Sequence, residues 1–565
     1  MTAFISAMDQ TTLRKTGVNG SDVYSKPAGE SQELLALFGA LNRDLKPETL
    51  SKLMSEAIKT STIEDLYVLA YHTRDILEGK GERDLFYHMI LYLYKTNPTD
   101  VINLLKHVPH YGAWFDLQNI LEQGLEDGLL LQRQVDEKLE VCSKDKLVSR
   151  VVELYGDQLR VDELAEKNLT LAGKWMPRRN KHNGWLASFV AKYLSLSDKE
   201  FRQMVSGINK RLDTVERKMC HDENSEHHFA DIDPSKVPSV CLKKKKKAFF
   251  NDGKDGKLRY PDEPDRMACR ERFMDHMSAA AKGEKKVHGS VLMPHEFIME
   301  LNKQCTQNDL DTLQAQWNDL RDTIRAKGSL GKAVVMCDFS GSMGQSNSPT
   351  VVPIQVSQGL GLLCAECTSP AFRDRLLTFD STPTWHNVSN HKTLVGRVRS
   401  FQGVSQGLST NFKAAMELVL NRLVEAKVPV GDEPDIILVL TDMGWDAANN
   451  GTHHDYYGRA SGHDSSKFET HIDRIKADFK SRGGWKVPTI VIWNVSGKFQ
   501  EYHHESDTEG VCVISGWSAA ILKYIMGGED IVQKMRNMTP YKMMRHVLDD
   551  HRYDLIRDSL KAKDL

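Results

Sequence analysis

Residues 332–345, KAVVMCDFSGSMGQ, set Asp338, Ser340 and Ser342 at alternate positions just past the short apolar run Ala333–Cys337. Two kinds of chemistry use small oxygen-bearing side chains at the end of a buried strand. One is a helix cap, in which a side-chain oxygen accepts from a free backbone N–H. The other is a hard divalent cation, which needs about six oxygens gathered at one edge. Asp-x-Ser-x-Ser alone does not choose between them, since average composition produces it by chance in about one chain in six of this size. Two further residues favour the metal. Thr410 lies in GLSTNFKAA, a loop that leads into a helical pattern, and Asp442 ends the apolar run DIILVLTD. Ser340, Ser342 and Thr410 would ligate by hydroxyl, with Asp338 and Asp442 acting directly or through water. Mg²⁺ is the first choice, keeping some waters, with Mn²⁺ or Ca²⁺ as alternatives. Hydroxyls do not quench a divalent charge. Such an ion would stay electrophilic enough to take an acidic residue of a protein partner as its last ligand.

Other constellations carry less. There is no Gly-x-Ser-x-Gly elbow, Walker loop or His-Glu-x-x-His helix. A phosphatase-type aspartate wants a second acid two residues on, where Ser340 stands, so the chain is not read as an enzyme. Cys364 and Cys367 fall within a helical pattern without a second pair and read as core thiols. The His-rich stretches THHDYYGRASGHD (452–464) and EYHHESD (501–507) read as surface loops near the metal edge rather than as a transition-metal site. Arg74, Lys80 and Arg83 flank Gly79 and Gly81. They form either a phosphate-binding turn before a helix or a helix connection with solvated charges. Lys174, Arg178, Arg179, Lys181 and His182 are interleaved with Trp175 and Trp185, a mixture that can hold phosphates and stack on bases, or a loop anchored by its tryptophans. The run Lys243–Lys247 is a solvated loop, a nucleic-acid contact or a nuclear import signal.

The elements that must position these residues change character along the chain. At 565 residues, two or three domains are expected. The 75 Lys+Arg against 77 Asp+Glu leave a net charge of -2, so any nucleic-acid surface must be local. Nine scattered cysteines suggest a reducing compartment, and no apolar run approaches the roughly 18–20 residues of a spanning helix. No secretory signal is visible, so a cytoplasmic protein away from membranes is expected, with the nucleus as the alternative. The oligomeric state is not legible. Residues 1–30 read as a flexible N-terminal arm. Residues 31–330 read as an all-α, HEAT-like helical repeat with a loop-rich insertion at about 221–290. Residues 331–535 alternate short apolar strands with helices, the pattern of a doubly wound, Rossmann-like α/β domain, and 536–565 read as a C-terminal helical segment. The fold class is thus α+β multidomain.

Together DFSGSM, Thr410 and the LTD of 440–442 resemble the metal-ion-dependent adhesion site of von Willebrand factor A domains. That resemblance carries over Asp338, Ser340, Ser342, Thr410 and Asp442; LSTN stands where many members have GGT. RDILEGKGERDLFYHMI (74–90) followed by LLKHVPHYGAWFDL (104–117) resembles the TROVE module of Ro-type ribonucleoproteins, in which a helical ring precedes a von Willebrand A domain. AGKWMPRRNK, YPDEPD, LMPHEF, LTDMGWDAA, PTIVIWNV and GVCVISGWSAAILKYIM are closer to a domain-of-unknown-function family of the same two-part architecture. The resemblance implies a non-catalytic RNA-binding scaffold that docks a protein partner through Mg²⁺. The alternative is a purely protein-binding assembly or structural factor, of a virus-like or a cytoplasmic particle, with no RNA role.

Overall fold

The computed structural model describes residues 11–135, 138–220, 228–253, 256–348, 350–380, 382–402, 410–445, 470–482, 484–527 and 529–562. They form two compact units. One comprises residues up to Leu66, Glu78–Lys80 and Gly289–Asp550; the other comprises Tyr67–Leu77, Gly81–His288 and His551 onward.

The strands in chain order are β1 (Arg14–Thr16), β2 (Asp22–Tyr24), β3 (Gln132–Val135), β4 (Lys138–Val141), β5 (Ala333–Asp338), β6 (Arg375–Phe379), β7 (Thr384–Asn387), β8 (Ile436–Thr441), β9 (Thr489–Asn494) and β10 (Val511–Ser515). In the first unit six of them form one sheet, ordered β10-β9-β8-β5-β6-β7, parallel except for the edge strand β7. Every residue of β5, β8, β9 and β10 is buried, because helices cover both faces. On one face Phe412 and Met416 of helix Phe412–Glu425, with Ile475 and Phe479 of helix His471–Arg482, pack on Met336, Val439 and Ile492. On the other face helix Pro353–Glu366 comes so close that a Cβ on Gly361 would lie 2.3 Å from Cys337 Sγ. Cys364 and Cys367 are buried free thiols of this layer. The chain leaves β5 toward β6 and returns on the far side at β8. The order in which strands are added therefore reverses between the parallel neighbours β5 and β8, where open α/β folds bind ligands beyond the strand carboxyl ends.

Three of the expected domain bounds differ from the structure. The N-terminal arm is not loose over residues 11–30. Val23, Tyr24 and Ala28 are buried, Tyr24 and Tyr502 exchange backbone hydrogen bonds of 2.8 and 3.1 Å, and Ser506 N–H donates to Ala28 O at 2.7 Å. The boundary at 31 and the single helical block to 330 do not follow the compact units either. Helix Gln32–Ala40 belongs with the sheet: Ser515 Oγ donates to Phe38 O (2.7 Å) and Asn494 Nδ2 to Gly39 O (3.0 Å). An apolar stripe shows that a helix is buried on one face, not what it is buried against. At the other end, residues 536–550 also join the sheet unit, with Arg536 paired to Asp435 at 2.6 Å.

Among the described residues the second unit is helical, with one hairpin, β3–β4. Its larger helices include Asp84–Thr96, Trp114–Glu126, Lys146–Leu164 and Asp198–Leu212. The stretch expected to be a loop-rich insertion contains helices Ser239–Phe249 and Pro264–Ala281, joined by the stacked rings of Phe249 and Phe273 at 4.6 Å. Lys243–Lys247 is helix rather than loop. Its charges mask an apolar face made by Leu242 and Phe249.

Candidate metal centre

Asp338 is the last residue of β5, and Asp442 directly follows β8, the neighbouring strand. Both are fully buried, and Ser340 and Thr410 nearly so. After β5 the chain makes a single 3-10 turn, Gly341–Gly344. The serines do not cap a helix. Ser340 makes no side-chain bond to that turn, and the next helix begins at Pro353 behind Val352. Instead the two hydroxyls face each other, Ser340 Oγ and Ser342 Oγ lying 3.0 Å apart. Thr410 stands beside the end of β6: Asn411 N–H donates to Asp380 O at 3.3 Å, and the Asn411 side chain caps helix Phe412–Glu425. Phe379, which precedes Asp380, pairs in register with Asp338.

The two carboxylates are held differently. Asp338 is satisfied by protein donors, with Oδ1 accepting from Ser340 N–H (2.9 Å) and Oδ2 from the Thr441 hydroxyl (2.7 Å). Asp442 Oδ1 accepts from Gly444 N–H (3.1 Å), but Oδ2 is buried with no hydrogen-bond partner. Burial pushes both groups above the usual carboxylate range, and for Asp338 the neighbouring Asp442 charge adds to it. The Ser342 hydroxyl, the Gly444 amide and Lys498 pull Asp442 back toward its charged form. An orphaned buried carboxylate oxygen beside two facing hydroxyls fits a hard cation. Asp442 Oδ2 and the hydroxyls would be the direct ligands of such an ion. Asp338, already bonded twice, suits contact through water. Among the described residues no group of three or more His, Cys, Asp or Glu could hold a metal, so a soft-ligand site is not formed there.

Sequence reasoning missed the residues that set this geometry. Thr441 Oγ donates to Asp338 and accepts from Met443 N–H (3.1 Å) and Trp445 Nε1–H (2.9 Å), which fixes its proton toward the acid. Met443 has a left-handed φ of 74°, a strained conformation for a non-glycine residue, and His503 Nε2–H donates to its carbonyl at 3.1 Å. His503 also stacks on Trp445 at 4.1 Å. His503 and His504 are therefore buried, not in a surface loop, and burial lowers the His504 pKa to about 4. Residues 452–464, the other His-rich stretch, lie outside the described residues.

The basic candidates divide sharply. Arg74 is buried in an ion pair with Asp116, which also accepts from Tyr87 Oη at 2.5 Å. Lys80 is buried too, its ammonium donating to Phe38 O (3.1 Å), Leu41 O (3.0 Å) and Ser515 Oγ (2.5 Å). It caps the C-terminus of helix Gln32–Ala40, where carbonyls and dipole favour a cation. Neither is available as a phosphate-binding turn, which corrects the sharper of the two readings of GKGER. Arg83 is exposed at the start of helix Asp84–Thr96. Lys174 pairs with Glu216 (2.8 Å), Arg179 with Asp198, and His182 with Glu122 (2.9 Å). Arg178, Arg179, Lys181 and His182 are all exposed within one loop.

Comparison with known proteins divides the chain near residue 331, not at the bounds of the compact units. Residues 332–557 match the model of a family described as Domain of unknown function (DUF7788). Residues 26–153 and 187–330 match that of a family described as Domain of unknown function (DUF2828). Uncharacterized protein L728 of Acanthamoeba polyphaga mimivirus is 27% identical over 500 residues, covering 86% of this chain and 79% of that protein. Among solved structures, the crystal structure of Deinococcus radiodurans RO (RSR) protein is similar over 90% of this chain and 100% of that one, at 13% identity and a TM-score of 0.45.

Proposed function

We propose that this chain is a non-catalytic scaffold that holds Mg²⁺ at the β5–β8 edge and, through it, an acidic side chain of a protein partner. The observation that carries this reading is Asp442 Oδ2, buried without a partner beside hydroxyls that cap no helix. The order of DFSGSM on β5, Thr410 before a helix and LTD on β8 supports a von Willebrand A-type adhesion site. The absence of a second acid two residues past Asp338 speaks against phosphoryl chemistry. Mg²⁺ or Mn²⁺ should raise the thermal stability of the full chain, and Ser340→Ala with Ser342→Ala should abolish the shift. No shift in the unmutated chain counts against the site. Phosphoester turnover that disappears in Asp338→Ala would revive an enzymatic role.

The RNA half of the reading is that the helical part, a HEAT-like array in our view, acts as a ribonucleoprotein component. Its support is the exposed cluster Arg178–His182 and the TROVE-like stretches at 74–117. A reducing compartment, the cytoplasm or the nucleus, goes with nine free cysteines. A second reading, a protein-binding assembly factor without RNA, is favoured by the engagement of Arg74, Lys80, Lys174, Arg179 and His182 with other protein groups, and by the viral origin of the 27% identical relative. Filter binding to mixed RNAs at low and moderate salt separates the two. Salt-sensitive retention supports RNA binding, since phosphate contacts release counterions, and its absence leaves the protein-only reading.

A further inference from the structure

We infer that Asp44, from the N-terminal part of the chain, is a positioning residue of the metal centre: one buried carboxylate that locks the serine-bearing loop against the loop after β9. This rests on the metal reading above. The two oxygens serve different loops. Oδ1 accepts from Ser346 Oγ (2.7 Å), Asn347 N–H (2.6 Å) and Ser348 N–H (3.3 Å). Oδ2 accepts from Ser496 Oγ (2.7 Å) and Gly497 N–H (3.3 Å). Asn347 reaches back with its side-chain amide to Asp44 O (2.9 Å), and the Asn42 side chain fixes the turn by accepting Asp44 N–H (3.0 Å).

A carboxylate has about four lone-pair sites, so five donors saturate it, and Asp44 is not itself a ligand. Its effect is transmitted along the chain. Ser346 lies four residues past Ser342, and between them the backbone has only one 3-10 turn to hold its shape. Nothing regular fixes the two hydroxyls on that side, whereas Asp44 pins the loop at three consecutive residues. On the other side, Gly497 approaches so closely that a Cβ there would lie 2.4 Å from Leu45 Cα, which makes the contact backbone on backbone. Lys498, the next residue, donates to Gln345 Oε1 at 2.9 Å, a further tie between the same two loops. Asp44 thus sets the spacing between the loop that carries the hydroxyls and the loop after β9. Partners of metal ligands act in this way, by orientation rather than contact.

The full chain carrying Asp44→Asn tests this. The amide keeps one acceptor oxygen and turns a donor on the other loop, so one loop is released; Asp44→Ala releases both. In EDTA, amide exchange at Asn347 and Ser348 or at Gly497 should rise about tenfold in the first variant and at all three in the second. Mn²⁺ affinity, read by electron paramagnetic resonance, should fall about 10–100-fold with every direct ligand intact. Should these variants fail to fold, Ser346→Ala and Ser496→Ala each remove one hydroxyl donor and should give smaller losses of the same two kinds. Unchanged exchange overturns the latch. Faster exchange with unchanged Mn²⁺ affinity reduces Asp44 to a fold residue and also overturns it. A failure of the metal reading looks different: the unmutated chain then binds no Mn²⁺, and the latch falls with it.

Discussion

Asp338 and Asp442 sit fully buried at the ends of adjacent strands, a costly arrangement for two carboxylates unless a cation or protons neutralise them. Their raised pKa values have a definite sign for stability. Between the ordinary aspartate range and the raised one, the folded chain holds protons that the unfolded chain has released. Metal-free stability should therefore fall as pH rises through that window, and be regained below it. Mg²⁺ competes with those protons, so the stabilisation it gives should be larger at about pH 8 than at about pH 5; thermal unfolding with EDTA and with Mg²⁺ at both values measures this. Asp442→Asn should stabilise the EDTA-treated protein at about pH 8 while losing the response to Mg²⁺. At this scale the sequence was readable where residues announce themselves, as in DFSGSM and LTD. It gave no role to Thr441, Trp445 or Asp44 and read His503 as a loop residue, because a side chain acquires its role from whatever the fold sets opposite it. Asp44 and Ser496 lie 452 residues apart.

At the scale of elements, the sheet was the most legible part. Runs such as IILVL (436–440) and IVIW (490–493) are apolar throughout, as strands covered on both faces require. The helices were legible as helices but not as neighbours, so Gln32–Ala40 was assigned to the wrong compact unit. Charge also misled: five consecutive lysines looked like loop while Leu242 and Phe249 buried one side of a helix. Two substitutions test the packing argued here. Gly361→Ala forces a methyl against Cys337 Sγ and should destabilise the protein by about 1–3 kcal/mol in denaturant unfolding. Arg74→Ala strands the buried Asp116 carboxylate and should cost about 3–5 kcal/mol, without altering any salt-dependent binding of RNA to the folded protein.

For the whole molecule, a net charge of -2 leaves only local surfaces for nucleic acid, and burial removes Arg74 and Lys80 from them. If RNA binds, the exposed loop at Arg178–His182 should carry part of it. Replacing Arg178, Arg179 and Lys181 by Glu should weaken filter-bound RNA about tenfold or more and flatten the salt dependence, whereas equal binding would move the site elsewhere. Two-part organisation was legible in the change from helical to strand periodicity near residue 332, where the two family matches also divide. The compact units were not, since they interleave the chain: residues up to 66 fold with the sheet. A Mn²⁺ titration of the full chain, followed by electron paramagnetic resonance, decides whether the cation site exists. One saturable site, displaced by Mg²⁺ and missing in the Ser340→Ala, Ser342→Ala double variant, is the predicted result. No bound Mn²⁺, or binding that survives the double variant unchanged, would contradict it.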